Sequence, residues 1–283
     1  MVRVSVHFTI LGSGSGGNCA YLETPESRIL IDAGFSLRQI RQRLSAIGRT
    51  PENLNAILIT HEHSDHVQGL GLLGEKLKIP VYCNRLTADS IRYQMDRTMD
   101  FRLFATGASF ELGDVGVETF SVPHDAQDPV GFMLRTSAGN IGFLTDLGHA
   151  TRLVLERVRP ANVLVLEANH DVRLLQDCPH RPWSLKQRIL SRHGHLSNEA
   201  AADAAEQIMS AELRHLYLGH LSRECNRPEL ALKAVIERLQ RIGADHVHVQ
   251  VSSQAIVSPT LSLAARIQAS PVPAPQPAII AVT

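Results

Sequence analysis

The densest group of chemically active side chains in the sequence is His-Glu-His-Ser-Asp-His at residues 61–66. Its three histidines and two acids stand between an apolar run that predicts a strand and another that predicts a helix. Alternate side chains share a face on extended backbone, so the rings of His61 and His63 can point the same way. Imidazole and carboxylate groups are ligands that zinc, manganese and iron accept in proteins. The cluster therefore predicts a metal site.

Three later residues offer ligands for a second metal ion. His124, Asp146 and His220 each stand at the end of an apolar stretch that predicts a strand. Strand ends at one edge of a sheet are where loops converge to build sites. Together with residues 61–66 they make four places with the same pattern, which is difficult to explain by core packing or by a solvated surface. We therefore expect them to meet in the folded chain.

Apolar patterns predict strands and helices along most of the chain. The predicted strands cover 2–11, 19–23, 28–34, 56–60, 80–83, 130–136, 140–146, 163–169, 213–219 and 246–251, with a hairpin at 101–122. The predicted helices cover 36–47, 67–78, 150–157, 183–192, 198–210 and 228–241. Paired strands followed by alternating strands and helices predict α/β layers with a mixed sheet. No linker divides the chain, so we expect one domain over 1–257 and a flexible tail, rich in Pro and Ala, over 258–283.

The composition is that of an ordinary globular protein, with 283 residues, 44% apolar residues and a net charge of zero. Zero net charge argues against a generally basic nucleic-acid coat, although it does not exclude a local patch. The four cysteines form no CxxC pair, which favours reduced thiols in a cytosolic protein. The first residues do not resemble a signal peptide, and no apolar run reaches membrane-spanning length. We therefore expect a cytoplasmic protein with no membrane partner.

The glycines of LGSGSGGN at 11–18 have the spacing of a dinucleotide-binding loop. Such a site needs a helix directly after the glycines, whereas the next residues, CAYLE, predict a strand. We therefore expect a tight loop near the metal ions, with Ser13 or Asn18 facing the substrate.

Together these features resemble the metallo-β-lactamase superfamily, over roughly 4–251. Residues 61–66 match its HxHxDH signature in full, and the later His, Asp and His follow in its order. The resemblance implies an αββα sandwich, two mixed sheets flanked by helices, and two divalent metal ions, zinc or manganese, with magnesium or iron as alternatives. The implied ligands are His61, His63 and His124 for one ion, Asp65, His66 and His220 for the other, and Asp146 as the bridge. A carboxylate bridge argues against the antibiotic-cleaving β-lactamases, which have a cysteine there.

Asp32, at the end of the apolar run RILI, matches the first motif of the same superfamily. The resemblance implies that its carboxylate orients a ligand histidine without itself touching a metal ion. The alternative is a turn residue or an N-cap before the helix predicted at 36, and the two roles are compatible.

Further motifs resemble the YycJ/WalJ group of bacterial nucleases within this superfamily. They are LGSGSGGN (11–18), ILIDAGFS (29–36), VPHDAQDPVGF (122–132), LEANHD (166–171), GHLSN (194–198) and LGHLS (218–222). That resemblance implies a 5′→3′ DNA exonuclease, with DNA as its partner and DNA repair as its context.

The tetrapeptide GHLS occurs twice, and its first copy contains His195. Related RNA-cleaving enzymes carry a catalytic histidine at this place, so the resemblance implies that His195 steadies or protonates the departing oxygen. The alternative is that Ser197 or Asn198 caps the helix that follows and that His195 is merely nearby.

The chemistry of two metal ions suits phosphodiester cleavage. Ions a few ångströms apart can hold a hydroxide between them, lower its pKa towards neutrality and clamp phosphate oxygens during in-line attack. The histidine ligands must be neutral, so activity should fall in acid. Asp65 is a candidate acceptor for the proton of the attacking water.

The ligand set alone leaves other functions open, because substrate choice lies in loops. The alternatives are a small-molecule phosphodiesterase, an ester, thioester or lactone hydrolase, and an RNA-processing enzyme of the same fold. A non-enzymatic binding module is a third class. RNA-cleaving relatives often carry an inserted cap domain, whereas this chain offers only the helical stretch at 180–210. A polymeric substrate therefore requires that stretch to form a groove wall.

Overall fold

The computed structural model describes residues 4–265, which form fourteen strands and nine α-helices. The strands are β1 (Val4–Gly12), β2 (Cys19–Glu23), β3 (Arg28–Ile31), β4 (Ala56–Leu58), β5 (Val81–Asn84), β6 (Phe101–Phe104), β7 (Ser109–Leu112), β8 (Val115–Ser121), β9 (Val130–Thr136), β10 (Gly139–Leu144), β11 (Val163–Glu167), β12 (His215–Gly219), β13 (His248–Val251) and β14 (Leu261–Ala265). The helices are α1 (Leu37–Ala46), α2 (Ser64–Val67), α3 (Leu70–Lys76), α4 (Arg85–Gln94), α5 (Arg152–Val158), α6 (Val172–Asp177), α7 (Trp183–Ile189), α8 (Asn198–Ile208) and α9 (Pro228–Arg241). Within the described residues no helix is both long and apolar enough to cross a membrane.

The strands form two mixed sheets of seven strands each. Their orders are β14-β1-β2-β3-β4-β5-β6 and β13-β12-β11-β10-β9-β8-β7. In the first sheet the pairs from β3 to β6 are parallel and the others antiparallel. In the second, the pairs from β10 to β13 are parallel. The carboxyl ends of parallel strands meet at one edge of a sheet, where sites are commonly built.

Apolar side chains form three packed layers that hold the sheets and helices together. Phe8, Phe132 and Tyr217 lie between the two sheets. Helix α1 begins where Ser36 and Gln39 form a capping box, and it buries Ile40 and Leu44 on the outer face of the first sheet. Helices α5, α8 and α9 contribute to the third layer, on the outer face of the second sheet. The prediction of an αββα sandwich is confirmed.

The hairpin predicted over 101–122 is wrong in its first half. Strand β6 pairs in parallel with β5 in the first sheet, whereas β7 and β8 form a hairpin in the second. The rings of Phe104 and Phe110, one from each sheet, stack with centroids 5.4 Å apart. The chain therefore crosses between the sheets here, which the local sequence pattern does not reveal.

The helix predicted over 67–78 is observed as the shorter α3, and a break around Gly69 separates it from helix α2. A Cβ atom at Gly69 would lie 2.2 Å from the carbonyl oxygen of Phe35, so the close approach at this break requires glycine. Helices α4 and α6 were not predicted, although Asn84 and Asp171 cap them with side-chain oxygens.

Strand β14 lies within the segment predicted to be a flexible tail. It pairs antiparallel with β1 from Ala265 to Leu261. Leu261 and Leu263 contact the apolar layer between the sheets. The tail prediction is therefore corrected for Leu261–Ala265, because alternating apolar residues outweigh the Pro-rich composition there. Residues 266–283 lie outside the described residues, and the rest of the domain division stays a prediction.

Candidate metal centre

All seven predicted ligands lie at one edge of the sandwich, in groups whose potential ligand atoms lie within 4.8 Å of one another. Helix α2 begins at Ser64, so Asp65 and His66 occupy its first turn while His61 and His63 precede it on extended chain. The other ligands follow strand ends: His124 after β8, Asp146 after β10 and His220 after β12. The meeting of strand ends expected from the sequence thus occurs.

The backbone is strained just after the ends of strands β3, β10 and β12. Asp32, Asp146 and His220 have φ angles of 58°, 56° and 56°, in the left-handed region that non-glycine residues rarely adopt. Such a conformation costs on the order of 1 kcal/mol or more per residue and concentrates at functional sites. The strain indicates that packing and hydrogen bonds hold these three side chains in place.

One group of nitrogen atoms comes from His61, His63 and His124. Nδ1 of His63 lies 3.3 Å from Nε2 of His124. The Nδ1 atom of His61 donates to Thr60 Oγ1 over 3.0 Å, which leaves its Nε2 atom as a ligand. Three imidazole groups that face one point are suited to a zinc or manganese ion.

The second group comes from Asp65, His66 and His220. Oδ2 of Asp65 lies 3.2 Å from Nε2 of His220 and 3.5 Å from Nε2 of His66. Asp146 reaches both groups, because its Oδ2 lies 3.2 Å from Nε2 of His66 and its Oδ1 lies 3.9 Å from Nε2 of His124. This is the position that a bridging carboxylate requires.

Hydrogen bonds on the far side of three rings determine which nitrogen is free. Nδ1 of His66 donates to Asp32 Oδ2 over 2.7 Å, and Nδ1 of His124 donates to the carbonyl oxygen of Gly194 over 3.1 Å. Nδ1 of His220 lies 2.8 Å from Glu167 Oε1 and donates to it. Each bond turns Nε2 towards the site, where it can bind a metal ion once it carries no proton.

Two buried polar atoms support the presence of cations. Nε2 of His61 and Oδ2 of Asp146 are buried without a hydrogen-bond partner among the described residues. Leaving the buried Nε2 atom of His61 unpaired costs about 1–3 kcal/mol, whereas Oδ2 of Asp146 has only its contact of 3.2 Å with Nε2 of His66. Because both atoms face the ligand groups, divalent ions would satisfy them, and the residues present fit two such ions.

Burial and neighbouring charges shift the pKa values of four of the predicted ligand histidines, two downwards and two upwards. Burial lowers the pKa of His124 below 6.5 and that of His61 well below it. Burial acts the same way on His66 and His220, but the negative charge of Asp146 and other carboxylates raises both pKa values well above 6.5. Burial would raise the pKa of Asp146, but His220 and His66 hold it well below its ordinary value. Divalent ions must therefore displace protons from the second group.

The most important group that sequence reasoning missed is Glu167, which is fully buried at the end of β11. Its Oε2 accepts the N–H groups of Leu147 and Leu196 over 3.0 and 3.1 Å. Its Oε1 lies 2.8 Å from Nδ1 of both His195 and His220. Burial would raise its pKa, but the two histidines lower it to about 2. Its strand-end position, shared with Asp146 and His220, was the available signal.

His195 lies beside the predicted ligands but belongs to neither of the two predicted ligand sets. Its Nδ1 lies 3.8 Å from Asp146 Oδ1, and its side chain is 21% exposed in the cavity that the ligands line. Since Nδ1 donates to Glu167, Nε2 remains available. Ser197 caps α8 by accepting the N–H of Ala200, so the alternative capping role belongs to that residue. Both features occur together.

Asp32 is buried beneath the site and connects two of its elements. Its Oδ1 accepts the N–H of Thr60 over 2.9 Å, and its Oδ2 accepts Nδ1–H of His66 over 2.7 Å. Helix α1 is capped by Ser36, so the alternative N-cap role of Asp32 does not occur. The carboxylate instead orients His66.

The glycine-rich loop supports the ligands from below. Ser13 Oγ accepts the N–H of His220 over 2.8 Å and donates to Asn18 Oδ1 over 2.9 Å. Nδ2 of Asn18 lies 3.2 Å from Nε2 of His66. Both side chains are buried, so they position ligands, whereas Ser15 of the same loop lines the cavity.

The cavity above the ligands has a volume of about 210 Å³. Arg181, Leu185, Arg188 and Ile189 line it, so the region of α7 forms one of its walls. A small apolar cluster that includes Cys178, Ile189 and Cys225 packs that wall against the loop after His220. The helical stretch at 180–210 therefore does form a cavity wall, as a polymeric substrate requires.

Residues 27–221 match the family model described as a beta-lactamase superfamily domain. Exodeoxyribonuclease WalJ of Streptococcus pneumoniae serotype 2 (strain D39 / NCTC 7466) is 39% identical over 254 residues, which cover 87% of this chain and 94% of WalJ. Exodeoxyribonuclease YycJ of Bacillus anthracis is 37% identical over 242 residues, which cover 85% of this chain and 91% of YycJ.

Among solved structures, the metallo-beta-lactamase fold protein YhfI from Bacillus subtilis superposes with a TM-score of 0.68. The match covers 90% of this chain and 99% of YhfI, at 14% identity. At that identity the likeness shows the fold alone.

Proposed function

We propose that this chain, which belongs to the metallo-β-lactamase superfamily and to the group of the exodeoxyribonucleases WalJ and YycJ, removes nucleotides from the ends of DNA. It is a metal-dependent hydrolase. The observation that carries the proposal is a double ligand set, shared through Asp146, in a chain that aligns with WalJ over 87% of its length. Removal from the 5′ end and a place in DNA repair are the finer parts of the proposal.

Seven residues would hold two divalent ions. The ligands are His61, His63 and His124 for one ion, Asp65, His66 and His220 for the other, and Asp146 for both. When bound, such ions supply an activated water nucleophile and neutralise charge on the phosphate. Zinc and manganese suit the ligands best, with magnesium and iron as alternatives.

The protein's own groups orient the substrate and move protons. Glu167 holds His195 with Nδ1 protonated, so Nε2 of the same ring can give a proton to the departing oxygen. The negative charge of Glu167 stabilises the doubly protonated ring that must form in each cycle. Asp65 is the proposed acceptor for the proton of the attacking water, and its exposed edge lines the cavity.

The cavity wall supports a nucleotide substrate. Arg181 and Arg188 bring two guanidinium groups to the same cavity as the ligands, and guanidinium binds phosphate oxygens in a bidentate manner. Both arginines are paired with carboxylates, Glu224 and Asp125, which keeps them ordered at the rim. The four cysteines lie among the described residues and form no disulfide bond there, which supports the proposed cytoplasmic location.

End-labelled duplex DNA, with and without a 5′-phosphate, tests the proposal in Mn²⁺, Mg²⁺ or Zn²⁺. The matched variants are His124→Ala and His246→Ala, the second removing an exposed histidine outside the site. We expect stepwise loss from the 5′ end in the wild type and in His246→Ala, and none in His124→Ala. RNA and a chromogenic phosphodiester run in parallel. Turnover of the diester alone, with DNA intact, would contradict the nuclease assignment and retain the hydrolase.

A further inference from the structure

A second and larger cavity lies next to the metal centre. Its volume is about 730 Å³, against about 210 Å³ for the cavity above the ligands. Ser222, two residues after the ligand His220, lines both, and Ser13 and Gly16 bring the glycine-rich loop to the second cavity. The loop residue Ser15 lines the first. The two cavities are therefore neighbours that share the loops holding the ligands.

The lining of this second cavity, hereafter the groove, has the chemistry of a phosphodiester track. It includes Arg223, Arg43, Gln39, Gln68, Ser253 and Gln254. Of the lining residues, all of which lie within 4–265, none is acidic. Amide and hydroxyl donors beside arginine bind the phosphate backbone of nucleic acids without reading its sequence.

Arg223 is the charged group of the groove that is free to bind a ligand. Its side chain is exposed and takes part in none of the ion pairs formed within the described residues. Arg43, in contrast, is occupied: it donates to the carbonyl oxygens of Leu11 and Gln254 over 2.6 and 2.8 Å. Arg223 stands three residues after His220, so their Cα atoms lie at most about 11 Å apart. That span places it near the phosphates next to the reacting one.

A buried hydroxyl at the groove gives independent support. Ser252 is 5% exposed, lines the groove, and its Oγ has no hydrogen-bond partner in the described part of the chain. Such an orphan is uncommon in a folded protein unless a ligand or water satisfies it. Its neighbour Ser253 bonds the N–H of Ala255 and so holds this wall in place.

We propose that the groove binds the uncleaved part of the DNA strand, through its phosphodiester backbone, while the terminal nucleotide occupies the smaller cavity above the ligands. This inference rests on the proposed nuclease function and extends it. The volumes agree with the assignment, because one nucleotide is smaller than the strand segment that follows it. Arg223 is then a positioning residue that contacts a phosphate away from the reacting one.

The first test measures binding apart from cleavage. Fluorescence anisotropy follows a cleavage-resistant phosphorothioate oligonucleotide of twelve nucleotides on the metal-loaded protein at several salt concentrations. Arg223→Ala is compared with Arg157→Ala, an exposed arginine near the end of α5 that lines neither cavity. We expect Arg223→Ala to weaken binding about tenfold and to reduce the slope of log K against log salt by about 0.7, as the loss of one phosphate contact should. Equal affinity and slope in the two variants would overturn the proposal.

A second pair of variants changes the charge of the groove without removing Arg223. Ser253→Asp and Ser253→Asn both retain an acceptor for the N–H of Ala255, and only the first adds a negative charge. We expect weaker oligonucleotide binding in Ser253→Asp alone. If the two variants bind equally, no phosphate passes this wall and the proposal fails.

Cleavage then separates this proposal from the nuclease assignment. With oligonucleotides of two to twelve nucleotides, kcat/KM of the wild type should rise with length, and Arg223→Ala should remove most of that rise. Turnover of the small chromogenic diester should be the same in both proteins. Wild-type cleavage without any length dependence would overturn the groove proposal alone, whereas the absence of DNA cleavage would overturn the nuclease function even if the binding tests succeed.

Discussion

The Oε1 atom of Glu167 lies 2.8 Å from Nδ1 of His195, at the buried end of strand β11. The same oxygen accepts Nδ1–H of the ligand His220 over 2.8 Å. One carboxylate therefore orients both the ring proposed to bind a metal ion and the ring proposed to protonate the leaving group. This shared anchor couples the position of the metal centre to the position of the acid.

Replacing Glu167 by glutamine should impair both functions. The amide removes the negative charge. In the wild type Oε2 accepts the N–H groups of Leu147 and Leu196 and Oε1 accepts two histidine N–H groups, so the NH₂ group of glutamine must face a hydrogen-bond donor on one side. We expect metal affinity to fall about 10- to 100-fold, as for other partners of ligand histidines. Metal titration and kcat at saturating metal measure the two effects separately. Unchanged metal affinity would show that His220 needs no orienting carboxylate.

His195→Gln should lower kcat on DNA by about 10²- to 10⁴-fold while the metal content stays at the wild-type level. The effect should be much smaller on a diester with a p-nitrophenolate leaving group, because that group departs without a proton. Metal analysis and the two rate ratios test this. An equal loss on both substrates would assign His195 to a structural role.

Metal binding should weaken steeply as the pH falls. The pKa values of His66 and His220 are raised well above 6.5 by Asp146 and other carboxylates, which outweigh burial, so these rings hold protons near neutral pH in the metal-free protein. Each must lose its proton before Nε2 can bind an ion. Metal titrations at several pH values should show the release of more than one proton per protein. Affinity that is independent of pH would contradict this protonation pattern.

His170 should make the protein sensitive to acid. Burial lowers its pKa from 6.5 to about 4, and neither ring nitrogen has a hydrogen-bond partner among the described residues. The unfolded chain therefore takes up a proton below about pH 6.5 that the folded chain refuses. The free energy of unfolding is therefore unaffected by this titration above about pH 6.5. It falls as the pH decreases from 6.5 to 4, by about 3 kcal/mol over the whole range.

Urea unfolding of the metal-free protein at pH 7, 6 and 5 measures this contribution. His170→Gln should flatten the decrease in stability between pH 7 and 5 relative to the wild type. Parallel curves for the two proteins would show that another group is responsible.

Gly34→Ala should be severely destabilising. A Cβ atom at Gly34 would lie 1.7 Å from the carbonyl oxygen of Asp65, so the loop that carries the HxHxDH ligands would have to move. We expect a loss of more than about 3 kcal/mol and of metal binding in any protein that folds. Gly48→Ala is the matched control: its φ is +69° and nothing lies within 4 Å of the added Cβ, so it should cost about 1–2 kcal/mol and leave activity intact. Thermal unfolding and metal content compare the two variants.

The sequence by itself predicted the kind of site and the residues proposed as its ligands. Residues 61–66 place four ligands within six positions, and His124, Asp146 and His220 follow apolar strand patterns. Strand ends and helix starts are local features, because periodicity and spacing along the chain reveal them. The order of the ligands then identified the family and the sandwich fold.

Only the tertiary structure decided which groups support those ligands. Glu167 is 53 positions from His220 and 28 from His195, and no local pattern joins three residues at such distances. For Asp32 the sequence predicted an orienting role beside an N-cap alternative, and the structure identified its partner as His66, 34 positions away. The groove beside the metal centre likewise joins the glycine-rich loop to residues 221–228 and 251–255. Packing of distant segments, which depends on the whole core, creates these contacts.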